Sequence, residues 1–133
     1  MRAYDYLFYR LYCWASRWKW DTTPQISAFI MLVGLTGFNI LTLSLEFAER
    51  AGNLSLITGL SKAEHALCLV AIALPQYFLV LYHGRYKRFV KRWASESVLQ
   101  KRRRGAIVCL YVVLSLSLPT IAAILRGIKL GTL

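Results

Sequence analysis

The chain has 133 residues, one domain's worth, and is 57% hydrophobic while carrying a formal net charge of +11. Soluble domains are about 45–50% apolar, and a disordered basic arm is poor in aromatics, whereas this chain has eight Tyr, six Phe and four Trp. Both of those classes are therefore disfavoured, and oil and charge must be segregated along the sequence.

Residues 3–20, AYDYLFYRLYCWASRWKW, predict an amphipathic helix lying in a membrane interface. At about 100° per residue Ala3, Tyr4, Leu7, Leu11, Trp14 and Trp18 share one face. Asp5, Tyr9, Cys13 and Ser16 fall opposite, with Arg10 and Arg17 on a flank. Tyr and Trp favour the headgroup level, where the ring is buried and the polar tip is wet. The same face would also serve to dock a partner. WDTTPQ, residues 20–25, then makes a turn in which Thr22 or Thr23 is placed to cap the next helix, with Pro24 in its first turn.

Residues 26–45, ISAFIMLVGLTGFNILTLSL, are uncharged and long enough to cross a hydrocarbon core of about 30 Å. The run is too long for a signal-peptide core, and no clean cleavage site follows in EFAERAGN, so a retained span is expected. Thr36, Asn39, Thr42 and Glu46 form a polar stripe on it, with Glu49 just beyond. Polar groups in hydrocarbon need partners. The stripe is therefore either a contact between helices or the lining of a pore, with Glu46 and Glu49 as an acidic ring at its mouth. Asn39 is the one strongly polar residue at mid-depth, which favours the contact.

Gly52, Asn53 and Gly59 break the segment that follows, and Ser61 is placed to cap a second span over 65–82. His65, Gln76 and His83 share a face of it, and Gln76 is expected to meet Asn39 or a carbonyl freed by Pro75. Eighteen residues of helix set the two histidines about 27 Å apart, too far to share a metal. No metal or cofactor is expected, and the scattered Cys13, Cys68 and Cys109 give no disulfide framework.

Residues 83–104 hold nine of the seventeen Lys and Arg and one acid, Glu96. They predict a basic helix extending from the second span. Tyr82, Tyr86, Phe89, Val90 and Trp93 lie on one face and Arg85, Lys87, Arg88, Lys91 and Arg92 on the rest, while Lys101, Arg102, Arg103 and Arg104 stand directly before the third span. This suits anionic lipid headgroups, with the aromatic face on lipid or on a partner protein. Single-stranded nucleic acid also favours cations among aromatics, but the segment is tethered at both ends and its apolar face is continuous, so nucleic acid is the weakest reading. The third span, 105–125, gathers Ala106, Cys109, Ser117 and Thr120, with Val113 between, as a seam for close helix packing or for an oligomer.

Catalytic constellations are missing: there is no Ser-His-Asp pattern, metal cluster, phosphate loop or carboxylate pair. Thirteen cations fall on the side of the amino terminus and the 83–104 segment and four on the other, which points the first side to the cytoplasm. The expectation is an all-α integral membrane protein of a bacterial inner membrane. It has three transmembrane helices, an amphipathic amino-terminal helix and a basic cytoplasmic helix, in association with copies of itself or with other membrane proteins. It would act as a non-catalytic anchoring or regulatory subunit that binds anionic lipid. The alternative is a homo-oligomeric ion channel, or a membrane-permeabilising effector, lined by the first span.

Overall fold

The computed structural model describes residues 2–20, 22–53 and 55–131, which are helical almost throughout. α1 covers Arg2–Ala15, α2 Pro24–Arg50, α3 the single turn Ser55–Thr58, α4 Lys62–Val80, α5 Arg85–Ala94 and α6 Val98–Lys129. Three segments, containing α2, α4 and α6, are long and apolar enough to cross a membrane, with mean hydropathies of 2.0, 1.8 and 2.3 over their most apolar windows. The molecule is thus all-helical and has the makings of an integral membrane protein.

Each long helix begins or ends beyond its apolar stretch, because helices stop at backbone caps rather than where the oil runs out. α2 has Pro24 at its first position, as expected, but the Thr23 hydroxyl makes no capping bond. The Thr23 carbonyl instead accepts from the Ile26 amide at 2.9 Å. The helix ends at Gly52, φ +70°, where the Gly52 and Asn53 amides close onto the Glu49 and Ala48 carbonyls at 3.1 and 3.0 Å. α4 opens with a reciprocal box in which the Glu64 amide donates to the Ser61 hydroxyl and the Ser61 amide to the Glu64 carboxylate. α6 is capped by Ser97, whose hydroxyl accepts from the Gln100 amide at 3.4 Å. Lys101 to Arg104 therefore lie within the first turns of α6 rather than ahead of it. That helix has 32 residues, about 48 Å of rise.

The expected continuation of the second span into the basic segment does not form. α4 stops at Val80, and in the 3₁₀ turn Tyr82–Gly84 both His83, φ +54°, and Gly84, φ +67°, are left-handed. Glycine takes that conformation without steric cost, whereas a side chain pays about 1–2 kcal/mol. The Arg85 guanidinium donates to the Phe78 carbonyl at 3.4 Å, satisfying one orphan acceptor at the end of α4. α5 is thereby a separate helix.

α2 lies at the centre, with α4 and α6 each packed on it and scarcely on each other. Asn39 and Glu49 of α2 reach Ser115 and Arg126 of α6, so these two helices run parallel, and α4 returns between them in the chain. The core sits at one end only: Phe8 and Leu11 of α1 meet Ala28, Leu32 and Leu35 of α2 and Val80 of α4. We call this the basic end.

α1 differs from its expected orientation. Tyr6, Phe8, Tyr9, Leu11 and Ala15 are all buried, whereas Trp14, assigned to the apolar face, is 51% exposed. The helix is contacted by α2, α5 and α6. Its burial therefore follows three neighbours rather than one stripe, and the Tyr9 ring, counted on the polar side, is packed as a hydrophobe.

Candidate functional site

Most of the aromatic side of α5 packs on α1 and the core. The Trp93 ring stands edge-on to Tyr6 with centroids 5.0 Å apart, Tyr86 lies 6.1 Å from Tyr12, and Phe89 packs against the core. Arg85, Lys87, Arg88, Lys91 and Arg92 are left exposed on the opposite side. Arg104 at the start of α6 closes the group. It pairs with Glu96 at 2.8 Å and lays its guanidinium 5.2 Å from the Trp93 ring and 5.9 Å from that of Tyr6. The Tyr6 hydroxyl sits beside the Glu96 carboxylate without a well-formed hydrogen bond. Burial first, and that carboxylate second, raise its pKa. The segment joining α5 to α6 is thus fastened to the amino-terminal helix by stacking and one ion pair.

The polar stripe of α2 divides in two. Thr36 and Thr42 donate to their own helix, at the Leu32 and Phe38 carbonyls, both at 2.8 Å. Asn39 donates to the Tyr111 hydroxyl at 2.9 Å and the Ser115 hydroxyl at 3.2 Å. Glu49 accepts from Arg126 Nε and Nη2 at 3.1 and 2.9 Å, with Lys129 at 3.5 Å. Glu46 lines a cleft of about 300 Å³ with Glu49, Arg50, Arg126 and Lys129. The sequence reading had not paired Tyr111, Ser115, Arg126 or Lys129 with this stripe.

Gln76 does not meet Asn39, which α6 has already engaged. It is buried, and its Oε1 has no hydrogen-bond partner. The His65 Nδ1 lies 2.9 Å from the Ser61 carbonyl, and His83 stacks edge-on against Tyr82. Among the described residues no three His, Cys, Asp or Glu side chains gather as metal ligands. Most of the small-residue seam is turned away from the rest of the chain: Ala106, Cys109, Val113 and Thr120 are exposed and Ser117 is half-buried, with Cys109 at the edge facing α1. The face that α6 turns inward carries Gly105, Val108, Val112 and Ser115, its centre about a third of a turn from that of the seam. Ser115 rather than Ser117 is the buried polar contact.

Where α1 crosses α6, a groove opens on either side. The larger, about 640 Å³, runs between Tyr4, Tyr6, Leu7, Trp93, Ile107 and Tyr111. The other, about 340 Å³, has Arg10, Trp14 and Arg17 along one wall and Gly105, Cys109 and Val112 along the other. The Arg10 guanidinium lies directly over Gly105, where any Cβ would collide with it. The sequence placed both arginines on a flank of α1 without assigning them a ligand, although Arg10, Trp14 and Arg17 repeat at the four-and-three spacing of one helix face.

These features can hold helices and amphiphilic or anionic groups. The chain matches no protein-family model, no curated protein and no solved structure.

Proposed function

We propose that the protein is a non-catalytic membrane subunit that anchors or regulates a partner complex, with its basic end in the cytoplasm of a bacterial inner membrane. The observation that carries this reading is the open arrangement of the long helices. Because α4 and α6 flank α2 without closing on each other, only 11% and 6% of their apolar windows are buried within the chain. On α6 the uncovered strip includes Ala106 and Thr120, small residues that let a second helix approach closely. The basic end supports the orientation, since thirteen cations belong to that side and four to the other. The exposed Arg85, Lys87, Arg88, Lys91 and Arg92 of α5, with Arg102 and Arg103 of α6, face outward there. Each would add about 1 kcal/mol of attraction to an anionic surface.

A homo-oligomeric channel lined by α2 has less support, since Asn39 and Glu49 are both engaged by α6 of the same chain. Extraction from the membrane with its surrounding lipid, followed by mass measurement, tests the proposal. The expected particle contains a second membrane protein in fixed ratio. A lone protomer in that preparation would refute the subunit reading. Ion flux through liposomes of the pure protein, lost on Asn39→Leu, would reinstate the channel.

A further inference from the structure

We infer that the smaller groove between α1 and α6 is a binding site for a single anionic phospholipid, with Arg10 and Arg17 on its phosphate and Cys109 and Val112 along its acyl chain. The inference rests on the reading that the basic end lies at a bilayer surface, and it places specific lipid recognition away from the cations of α5.

Three observations carry it. Among the described residues Arg10 and Arg17 pair with no carboxylate, whereas Arg104, beside the larger groove, is already neutralised by Glu96 at 2.8 Å. Arg10 is half-buried and its guanidinium lies over the bare backbone of Gly105, which puts its charge at the crossing of α1 and α6. Gly105 is also where the charged start of α6 gives way to an uncharged run, from Gly105 to Leu125.

The groove therefore joins a cationic rim to an apolar wall in about 340 Å³. A guanidinium presents planar paired donors that match a phosphate. Trp14, 51% exposed and edge-on to Trp18 at 5.1 Å, supplies the aromatic side chain that favours the headgroup level. A free phosphate would leave the Cys109 and Val112 wall unused. A zwitterionic headgroup would bring its own cation against the two arginines. An anionic phospholipid satisfies both walls at once.

Native mass spectrometry of the full chain in detergent, titrated with phosphatidylglycerol, tests the site. One lipid should be retained per protomer, in preference to phosphatidylcholine. R10Q combined with R17Q should weaken retention by about tenfold or more. K87Q combined with R88Q, on the exposed side of α5, should change it by less than about twofold. G105L, which displaces Arg10 and narrows the groove, should reproduce the arginine result, with helix content and elution confirming that each variant folds.

Equal losses in the α5 and α1 variants would overturn the site in favour of a diffuse basic surface. So would retention that is indifferent to R10Q and R17Q. Competition by inorganic phosphate at the lipid's own concentration would overturn it in favour of a soluble phosphate ligand. None of these outcomes bears on whether a second membrane protein co-purifies, so the subunit reading stands or falls separately.

Discussion

Replacing Asn39 with Leu separates a helix contact from a pore lining. Asn39 donates two hydrogen bonds to α6, at 2.9 Å to Tyr111 and 3.2 Å to Ser115. Interhelical bonds in a membrane are each worth about 0.6–2 kcal/mol, so the pair bounds the loss at roughly 1–4 kcal/mol. Relief of the stranded partners lowers it. Once freed, Ser115 is able to bond a carbonyl one turn back, as Thr36, Thr42 and Thr120 already do, and Tyr111 is 42% exposed. The expected loss is therefore about 1–2 kcal/mol, a five- to thirtyfold change in the folded-to-unfolded ratio. Reversible unfolding in mixed micelles of rising sodium dodecyl sulfate content, followed by circular dichroism, measures it. A cycle with Ser115→Ala should return a coupling of about 0.6–1.5 kcal/mol. A coupling within about 0.3 kcal/mol of zero would refute the argument that Asn39 is spent on α6.

Phe8→Ala should cost about 3–5 kcal/mol, because Phe8 is fully buried where α1 meets α2 and α4, and hydrogen exchange should show the loss first in α1 amides. His83→Gly should raise stability by up to about 1 kcal/mol by removing a left-handed side chain, whereas Gly84→Ala should lower it by about 1 kcal/mol, both read from the same micelle titration. Burial pushes the pKa values of Tyr4 and Tyr9 from the usual 10.0 up to about 12. The unfolded chain therefore releases these protons first, and the stability they contribute, complete below pH 10, falls as pH rises toward 12. Tyrosinate absorbance should show two titrating populations, and a single step near the ordinary phenol pKa would contradict the burial.

Three spans were legible because a run of about twenty apolar residues has few other destinations. Their ends were less so, since hydropathy reports solvent and the helices obey caps. Ser97 starts α6 eight residues before its apolar stretch, and four cations ride inside the helix as a result. The break after α4 was hidden by an aromatic period that runs unbroken through Tyr82, Tyr86, Phe89 and Trp93. The available signal was Gly84, a residue that commonly closes helices. The face of α1 was misjudged because a wheel assumes one apolar neighbour, and this helix has three. Asn39 was expected to bond another helix or line a pore, and in the structure it bonds α6; its partners lay out of reach of sequence, because Ser115 and Ser117 cannot be ranked without knowing which side of α6 faces α2. The aromatic residues of α5 were read as a face for lipid or for a partner protein, and in the structure Tyr86 and Trp93 lie against α1.

That pairing imposes an order on biosynthesis. α1 leaves the ribosome before α2, which follows soon enough for Phe8 and Leu11 to find Ala28 and Leu32 as a local hairpin. The surface bearing Tyr6 and Tyr12 waits longer, since Tyr86 and Trp93 emerge only after two long apolar helices have been handed to the insertion machinery. Throughout that interval α1 displays rings that lack their α5 partners. A chain stalled before α5 would keep displaying them, as a persistent target for holdase chaperones and membrane proteases.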